Sequence, residues 1–125
     1  MSTDPLRTAL AKDTPLLMAW VTLGVPYIVE AMGEAGHDVV LIEQKHGLGN
    51  ASDMVNCLVA ARAAGMPALV RPLTADAGLI GAALDAGAQG VLCPLVETVA
   101  DVEACVRAAK YPPAGLRSWG PYRGK

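Results

Sequence analysis

The chain has 125 residues, of which 53% are hydrophobic and 18% charged, and its formal net charge is −2. This length fits one domain, residues 1–125, and a chain of this length can bury a hydrophobic core without stabilisation by disulfides or bound metal. The near-neutral charge argues against nucleic acid or an anionic membrane surface as a partner. The high apolar content excludes an intrinsically disordered chain.

The distribution of apolar residues and cysteines predicts a cytoplasmic protein. The longest uncharged stretch runs from Thr14 to Val29 and is broken by Pro15, Gly24 and Pro26. A membrane-spanning helix needs about 20 predominantly apolar residues, so none is expected. No basic start followed by an apolar run opens the chain, which argues against secretion. The three cysteines are odd in number and lack CxxC spacing, so reduced, buried thiols are expected instead of disulfides or a zinc site.

A short unit recurs along the chain, in which a helical pattern ends in Ala-Gly and an apolar run follows. The pairs are Ala35-Gly36, Ala64-Gly65 and Ala86-Gly87. Gly commonly follows a helix end because it adopts the left-handed conformation without strain. Runs rich in Val, Leu and Ile are typical of strands buried on both faces of a parallel sheet. Four strands are therefore predicted, near residues 16–22, 38–43, 67–71 and 90–94.

After each predicted strand, apolar residues return at helical spacing. Pro26 marks the first turn of the first of these helices, and Ser52 is the predicted N-cap of the second. The third begins near Asp76, and Thr98 with Asp101 resembles a capping box at the fourth. Four consecutive βα units predict an α/β fold with a parallel sheet. Residues 110–125, which are rich in Pro and Gly, are expected to form a loop or tail.

Two architectures fit four βα units. One is a complete open sheet of the flavodoxin-like kind, and the other is half of a TIM (β/α)8 barrel, which normally needs about 250 residues. In both, function lies at the carboxyl ends of the strands. An open-sheet regulatory domain of the receiver kind would carry an acidic cluster after the first strand, and the sequence has none there.

Ionisable residues stand at the predicted strand ends. Glu43, Lys45 and His46 follow the second strand, Arg71 closes the third, and Asp85 lies one turn before the end of the third helix. An imidazole near a carboxylate and a guanidinium is a competent acid–base set. The guanidinium can also hold a substrate carboxylate or a developing oxyanion.

Each of these residues also has a structural interpretation. His46 is followed by Gly47 and could be a turn residue, and Arg71 could simply pair with Glu43. Asp85 could be an exposed residue of the last helical turn, and Lys45 a solvated lysine instead of one that forms an imine.

Two further features bear on a possible ligand site. Trp20, inside the first strand, is by default a core residue. Gly47 and Gly49 form no GxGxxG fingerprint, and the sequence contains no GxxxxGKS loop. The sequence therefore does not support a nucleotide-binding site.

Taken together, four strings resemble the HpcH/HpaI aldolase family, from about Leu16 to Arg123. They are AWVTLGVPYIVEAMGEAGHDVVLIEQKHG, PALVRPL, ALDAGAQGVLCPLVET and RAAKYPPAGLRSWGP. The resemblance implies a (β/α)8 barrel. It also implies a divalent-metal-dependent pyruvate aldolase that cleaves 4-hydroxy-2-oxo acids to pyruvate and an aldehyde, with Mg, Mn or Co as the ion.

The resemblance also implies roles for individual residues. His46 matches the catalytic histidine, and Asp85 matches the aspartate that pairs with it. Arg71 matches the arginine that binds the oxo group of pyruvate and its enolate. Trp20 matches a residue near the site, and Glu43 stands where the family usually has Asp, close to the water shell of the metal.

The sequence departs from the family pattern in three ways. Glu43 is longer than Asp by one methylene, and Lys45 places a positive charge where the family commonly has Glu or Gln. The chain ends after four strands, so no position corresponds to the metal-binding carboxylates of the later strands. Glu43 and Glu97 are the nearby strand-end carboxylates that could stand in for them. A half barrel would expose two strand edges, which predicts a homo-oligomer.

Two function classes therefore follow from the resemblance. The first is a metal-dependent carbon–carbon lyase acting on a small 2-oxo acid. The second is a non-catalytic half-barrel that binds a small oxo acid or a partner chain after losing the metal ligands. Metal-dependent activity on pyruvate discriminates the two.

Overall fold

The computed structural model describes residues 4–120 and 122–123. Its sheet contains four strands: β1 (Met18–Val21), β2 (Val39–Glu43), β3 (Ala68–Arg71) and β4 (Gly90–Val91). The helices are α1 (Pro5–Leu10), α2 (Pro26–Glu34), α3 (Ala51–Ala63), α4 (Ala77–Asp85) and α5 (Val99–Ala109). The predicted alternation of strands and helices is confirmed.

The four strands form one sheet in the order β1-β2-β3-β4, and all three pairings are parallel. An open doubly wound sheet reverses its strand order at a switch point. A barrel adds each strand beside the preceding one. The consecutive order therefore favours half of a (β/α)8 barrel over the flavodoxin-like alternative.

Helices α2, α3 and α4 pack against one face of the sheet. In β1 and β2, Ala19, Val21, Val40 and Ile42 point into a buried cluster shared with α2, α3 and α4. Because successive side chains of a strand alternate between faces, the residues between them point to the other side, here called the inner face. The inner face carries Trp20, Glu43 and Arg71 at its carboxyl end.

The helix starts largely follow the predicted capping signals. Pro26 is the first residue of α2, Asp76 caps α4, and Thr98 and Asp101 form a capping box at α5. The prediction that Ser52 caps α3 is wrong. Asn50 is the N-cap, because its side chain accepts hydrogen bonds from the backbone N–H groups of residues 52 and 53 while the Asp53 carboxylate binds the Asn50 N–H.

Two features depart from the predicted element list. Helix α1 precedes β1 and is capped by Asp4, whereas no helix was predicted there. Strand β4 ends at Val91 instead of residue 94. Leu92 N–H still donates to the Val70 carbonyl at 2.9 Å, but Pro94 has no N–H to extend the ladder.

The segment after α5 contains no helix or strand within residues 111–120 and 122–123. It nevertheless packs against the βα units, since Leu116 N–H donates to the Arg107 carbonyl at 2.7 Å and Arg123 N–H donates to the Asp85 carbonyl at 3.1 Å. The rest of the predicted tail, residues 121, 124 and 125, lies outside the described residues. Across the described ranges, no helix has both the length and the apolar character that crossing a membrane requires.

Candidate active site

Three side chains from neighbouring strands meet at the carboxyl end of the inner face. Arg71 Nη1 donates to Glu43 Oε2 at 2.9 Å, and Trp20 Nε1 donates to the same oxygen at 3.1 Å. The Arg71 guanidinium carbon lies 5.8 Å from the centre of the Trp20 ring. We refer to Trp20, Glu43 and Arg71 as the strand-end cluster.

Register explains why these three residues meet. Glu43 of β2 pairs with Arg71 of β3, and Trp20 of β1 pairs with Leu41, two residues before Glu43 on the same face. Parallel strands place their carboxyl ends at one edge, so the last residue of each strand reaches the same place. The sequence prediction that Arg71 could pair with Glu43 is confirmed. The default assignment of Trp20 to the core is wrong, because the residue is 50% exposed.

Glu43 is held as a buried carboxylate by four donors. Its side chain is 2% exposed, and its Oε1 accepts the backbone N–H of Lys45 at 2.6 Å and that of His46 at 3.2 Å. Burial alone would raise the pKa of this carboxyl group. The hydrogen bonds from Arg71, His46, Lys45 and Trp20 outweigh burial, and the pKa lies below the ordinary value for glutamate.

His46 stands beside the strand-end cluster with its side chain exposed. Its backbone is fixed by Glu43, whereas its imidazole makes no hydrogen bond to any residue that the structure describes. The loop is tightly packed at Gly47, where a Cβ would overlap the Glu43 carbonyl oxygen. Leu48 N–H donates to the Thr22 carbonyl at 2.8 Å, which ties the loop after β2 to the end of β1. The position of His46 is therefore set by its own loop.

Asp85, the fifth predicted site residue, is not brought to His46 within one copy of the chain. Asp85 is the last residue of α4, which returns from the carboxyl edge of the sheet to its amino edge, opposite the edge of His46. Its carboxylate forms an ion pair with Arg117 at 2.5 Å. The sequence interpretation gave Arg117 no role, because no local pattern links two residues 32 positions apart.

The described residues do not fit a protein-bound divalent metal. Across 4–120 and 122–123, no group of three or more His, Cys, Asp or Glu side chains converges as a ligand set would. Both oxygens of Glu43 are already engaged by hydrogen-bond donors, and Glu97 is an exposed residue beyond β4. A metal would therefore need ligands from outside the described residues.

The ion pair of the strand-end cluster is expected to stabilise the fold. Replacing Arg71 by alanine leaves the buried Glu43 carboxylate with three neutral donors, which we expect to lower the free energy of unfolding by about 2–3 kcal/mol at pH 7. Urea denaturation measures this loss. Arg62→Ala, at an exposed helical position, is the matched control and should change stability by less than about 0.5 kcal/mol.

The same pair predicts the pH dependence of that loss. Because the pKa of Glu43 is lowered on folding, its contribution is complete above the ordinary glutamate pKa of about 4.3 and is lost as pH falls through the lower folded value. The stability difference between the wild type and Arg71→Ala should therefore shrink below about pH 4. A difference that is absent at pH 7, or that persists unchanged in acid, would contradict this account.

Comparison with known proteins identifies the family. Residues 16–122 match the HpcH/HpaI aldolase/citrate lyase family model. A hydroxypyruvate/pyruvate aldolase of Pseudomonas aeruginosa is 39% identical over 102 residues, which cover 81% of this chain and 38% of that protein. One from Deinococcus radiodurans is 36% identical over 124 residues, covering 96% and 45%.

Solved structures agree with the sequence relatives. A crystal structure of an HpcH/HpaI aldolase/citrate lyase family protein from Burkholderia cenocepacia superposes with a TM-score of 0.86 at 34% identity, over 94% of this chain and 49% of that one. The chain thus spans about half the length of the proteins it matches, as expected for four βα units of an eight-unit barrel. The chain belongs to the HpcH/HpaI aldolase/citrate lyase family.

Proposed function

We propose that this chain carries half of the active site of a pyruvate aldolase, a carbon–carbon lyase that cleaves 4-hydroxy-2-oxo acids to pyruvate and an aldehyde. The observation that supports the proposal is the strand-end cluster, in which Glu43 and Trp20 hold the guanidinium of Arg71 and Glu43 also accepts the backbone N–H of His46. Relatives named hydroxypyruvate/pyruvate aldolase support the reaction class. Because they are about twice as long as this chain, the whole reaction remains a proposal for it.

Arg71 would bind the oxyanion of the substrate. Its side chain is 23% exposed, and one terminal nitrogen, Nη1, is committed to Glu43. Guanidinium has further N–H donors in a fixed plane, which suit the oxo and carboxylate oxygens of a 2-oxo acid. Positive charge held at this point favours the enolate that forms when the bond between C3 and C4 breaks. Trp20 and Glu43 act by holding the guanidinium in place.

His46 would move the proton. Cleavage requires a base for the 4-hydroxyl proton and an acid for the methyl carbon of the enolate, and an exposed imidazole can serve both needs near neutral pH. Its backbone N–H binds Glu43, so the residue is anchored next to the cluster while its ring remains exposed. A role for Asp85 beside His46 stays a prediction from the resemblance, since the two lie at opposite edges of one copy.

We further propose a dependence on a divalent ion, Mg, Mn or Co, and a cytoplasmic location. The family resemblance supports the ion, although the described residues contain no group of three or more potential ligands. Three free thiols suit a reducing compartment and support the location.

The test is deuterium exchange into the methyl group of pyruvate, followed by proton NMR with and without added Mg or Mn. It detects enolate formation directly and needs no knowledge of the aldehyde. Metal-dependent exchange above the buffer rate supports the proposed chemistry. No exchange from protein shown to be folded by circular dichroism overturns it for this chain.

The second candidate is a non-catalytic half-barrel that binds a small oxo acid. The observation that favours it is that no three or more potential metal ligands come together within the described residues. It predicts that pyruvate shifts Trp20 fluorescence, and that Arg71→Lys abolishes the shift, while the methyl group does not exchange. A Trp119→Phe background separates the signal of Trp20 from that of the chain's other tryptophan.

We also propose that the chain self-associates. Both outer strands, β1 and β4, have one neighbour each in the described sheet, and parallel edges of this kind pair readily with another chain. Apolar side chains are also exposed: Met18 and Trp20 on the inner face of β1, and Val99, Val102 and Val106 on α5. Light scattering at micromolar concentration should report a mass of at least two chains, and a monodisperse monomer would contradict the proposal.

A further inference from the structure

A cavity lies at the amino edge of the sheet, opposite the strand-end cluster. Its volume is about 560 Å³, and its walls come from the loops before β3 and β4, the helix ends that lead into them, the start of α1 and the segment after α5. Cavities that bind small organic ligands have volumes of about 300–1,000 Å³. We refer to this space as the amino-edge cavity.

Three arginines line the amino-edge cavity: Arg62 from α3, and Arg117 and Arg123 from the segment after α5. Among the described lining residues, the acidic side chain is that of Asp4, which already caps α1 and pairs with Arg7 at 3.6 Å. The lining therefore carries an excess of positive charge. Such an excess raises the local concentration of anions and favours an anionic ligand.

Arg117 is fixed in place and still has hydrogen-bonding capacity to spare. Its side chain is 10% exposed, its Nη2 donates to Asp85, and its guanidinium carbon lies 4.6 Å from the centre of the Tyr111 ring. The Arg117 Nε and the Tyr111 hydroxyl are buried and have no hydrogen-bond partner among the described residues. Buried polar groups without a partner are rare in native structures, because each one costs free energy. Both residues line the cavity, so a polar ligand there would supply partners for them.

The chemistry of the walls favours an organic phosphate over other anions. A phosphate monoester carries a charge of about −1.5 to −2 at pH 7 and three strong acceptor oxygens, which planar guanidinium groups bind in pairs. A carboxylate offers two oxygens and a single charge. The cavity also has an apolar wall formed by Leu58, Met66 and Leu84, which inorganic phosphate would leave without a contact.

We propose that the amino-edge cavity binds an organic phosphate monoester, with Arg62, Arg117 and Arg123 around the phosphate group and the apolar wall against the organic part. Active sites of (β/α)8 barrels lie at the carboxyl ends of the strands, so this ligand binds away from the proposed reaction. The cavity shares no lining residue with the strand-end cluster. The proposal therefore does not rest on the aldolase activity.

Phenyl phosphate is the probe, because it joins a phosphate group to a small apolar ring. Its binding to the folded chain is measured by isothermal titration calorimetry, and its location by the amide chemical shifts of ¹⁵N-labelled protein. We expect the amides of residues 65–66 and 86–89, which line the cavity, to shift, and those of residues 44–48 to stay unchanged. Added NaCl should weaken the binding, because salt screens the attraction between exposed charges.

Two variants remove charge from the cavity without removing a described contact of the fold. Arg62 is at an exposed helical position, and alanine at position 123 keeps the backbone N–H that donates to the Asp85 carbonyl. Arg62→Ala and Arg123→Ala should each weaken phenyl phosphate binding by about tenfold or more, the usual worth of a charge-assisted hydrogen bond. Arg107→Ala is the matched control, because Arg107 is exposed on α5 and does not line the cavity.

Several results would overturn the proposal. They are no binding by the folded protein, a dissociation constant that is unchanged in both cavity variants, and an equal loss in Arg107→Ala. Amide shifts confined to residues 44–48 would place the probe at the strand-end cluster instead. Phenylacetate or inorganic phosphate bound as tightly as phenyl phosphate would rule out an organic phosphate as the ligand class.

Discussion

Replacing His46 by alanine is expected to lower metal-dependent deuterium exchange into pyruvate by about 10²–10⁴-fold, the usual contribution of a positioned general acid–base. The melting temperature should not change. The imidazole is exposed and makes no hydrogen bond within the described residues. The hydrogen bond between His46 and the strand-end cluster uses the backbone N–H of His46, which alanine retains. The His46→Ala variant should therefore lose exchange activity without losing thermal stability.

The chain contains its own control for this variant. His37, the other histidine, lies before β2 at the opposite end of that strand, and its ring contacts the Met32 carbonyl. His37→Ala should leave the exchange rate unchanged, although it removes one hydrogen bond worth about 1 kcal/mol. Equal exchange by wild type and His46→Ala would remove His46 from the mechanism. Equal losses in both histidine variants would mean that the measured loss reflects folding.

Local sequence patterns predicted those helices and strands that are determined by residues close together in the chain. The Gly that follows α2, α3 and α4 and the short apolar run after it are both consequences of neighbouring residues, so the four βα units were predictable. Helix α1 was missed because its six residues are too few to show a helical period. At α3, Asn50 and Ser52 are both good N-caps, and the decisive signal was Asp53, three residues after Asn50.

The site was predictable in part for the same reason. Glu43 and Arg71 each end a strand, and the barrel rule alone brings strand ends together. The four hydrogen bonds that hold Glu43 depend on the register between strands and on the path of the loop, neither of which has a sequence signature. The partner of Asp85 was unpredictable, because Arg117 reaches it only through the folding of the segment after α5.

Replacing Gly47 by alanine is expected to lower the free energy of unfolding by about 3 kcal/mol, near the upper end for overpacking. A Cβ at this position would lie inside the contact distance of the Glu43 carbonyl carbon and oxygen, and 3.0 Å from the Thr22 carbonyl oxygen. All of these neighbours are backbone atoms of β2 and the end of β1, so no flexible side chain can move aside. The loop itself must shift, and it carries the N–H groups that bind Glu43.

The matched control is Gly81→Ala in α4, where a Cβ would meet nothing within 4 Å. There alanine should stabilise the helix by about 0.5–1 kcal/mol, because glycine loses more backbone entropy on folding. Urea denaturation of both variants should thus give changes of opposite sign. Wild-type stability in Gly47→Ala would mean that the loop after β2 is not held against Glu43. A Gly47→Ala variant that stays folded yet loses pyruvate exchange would instead indicate that the loop has moved His46 away from Arg71.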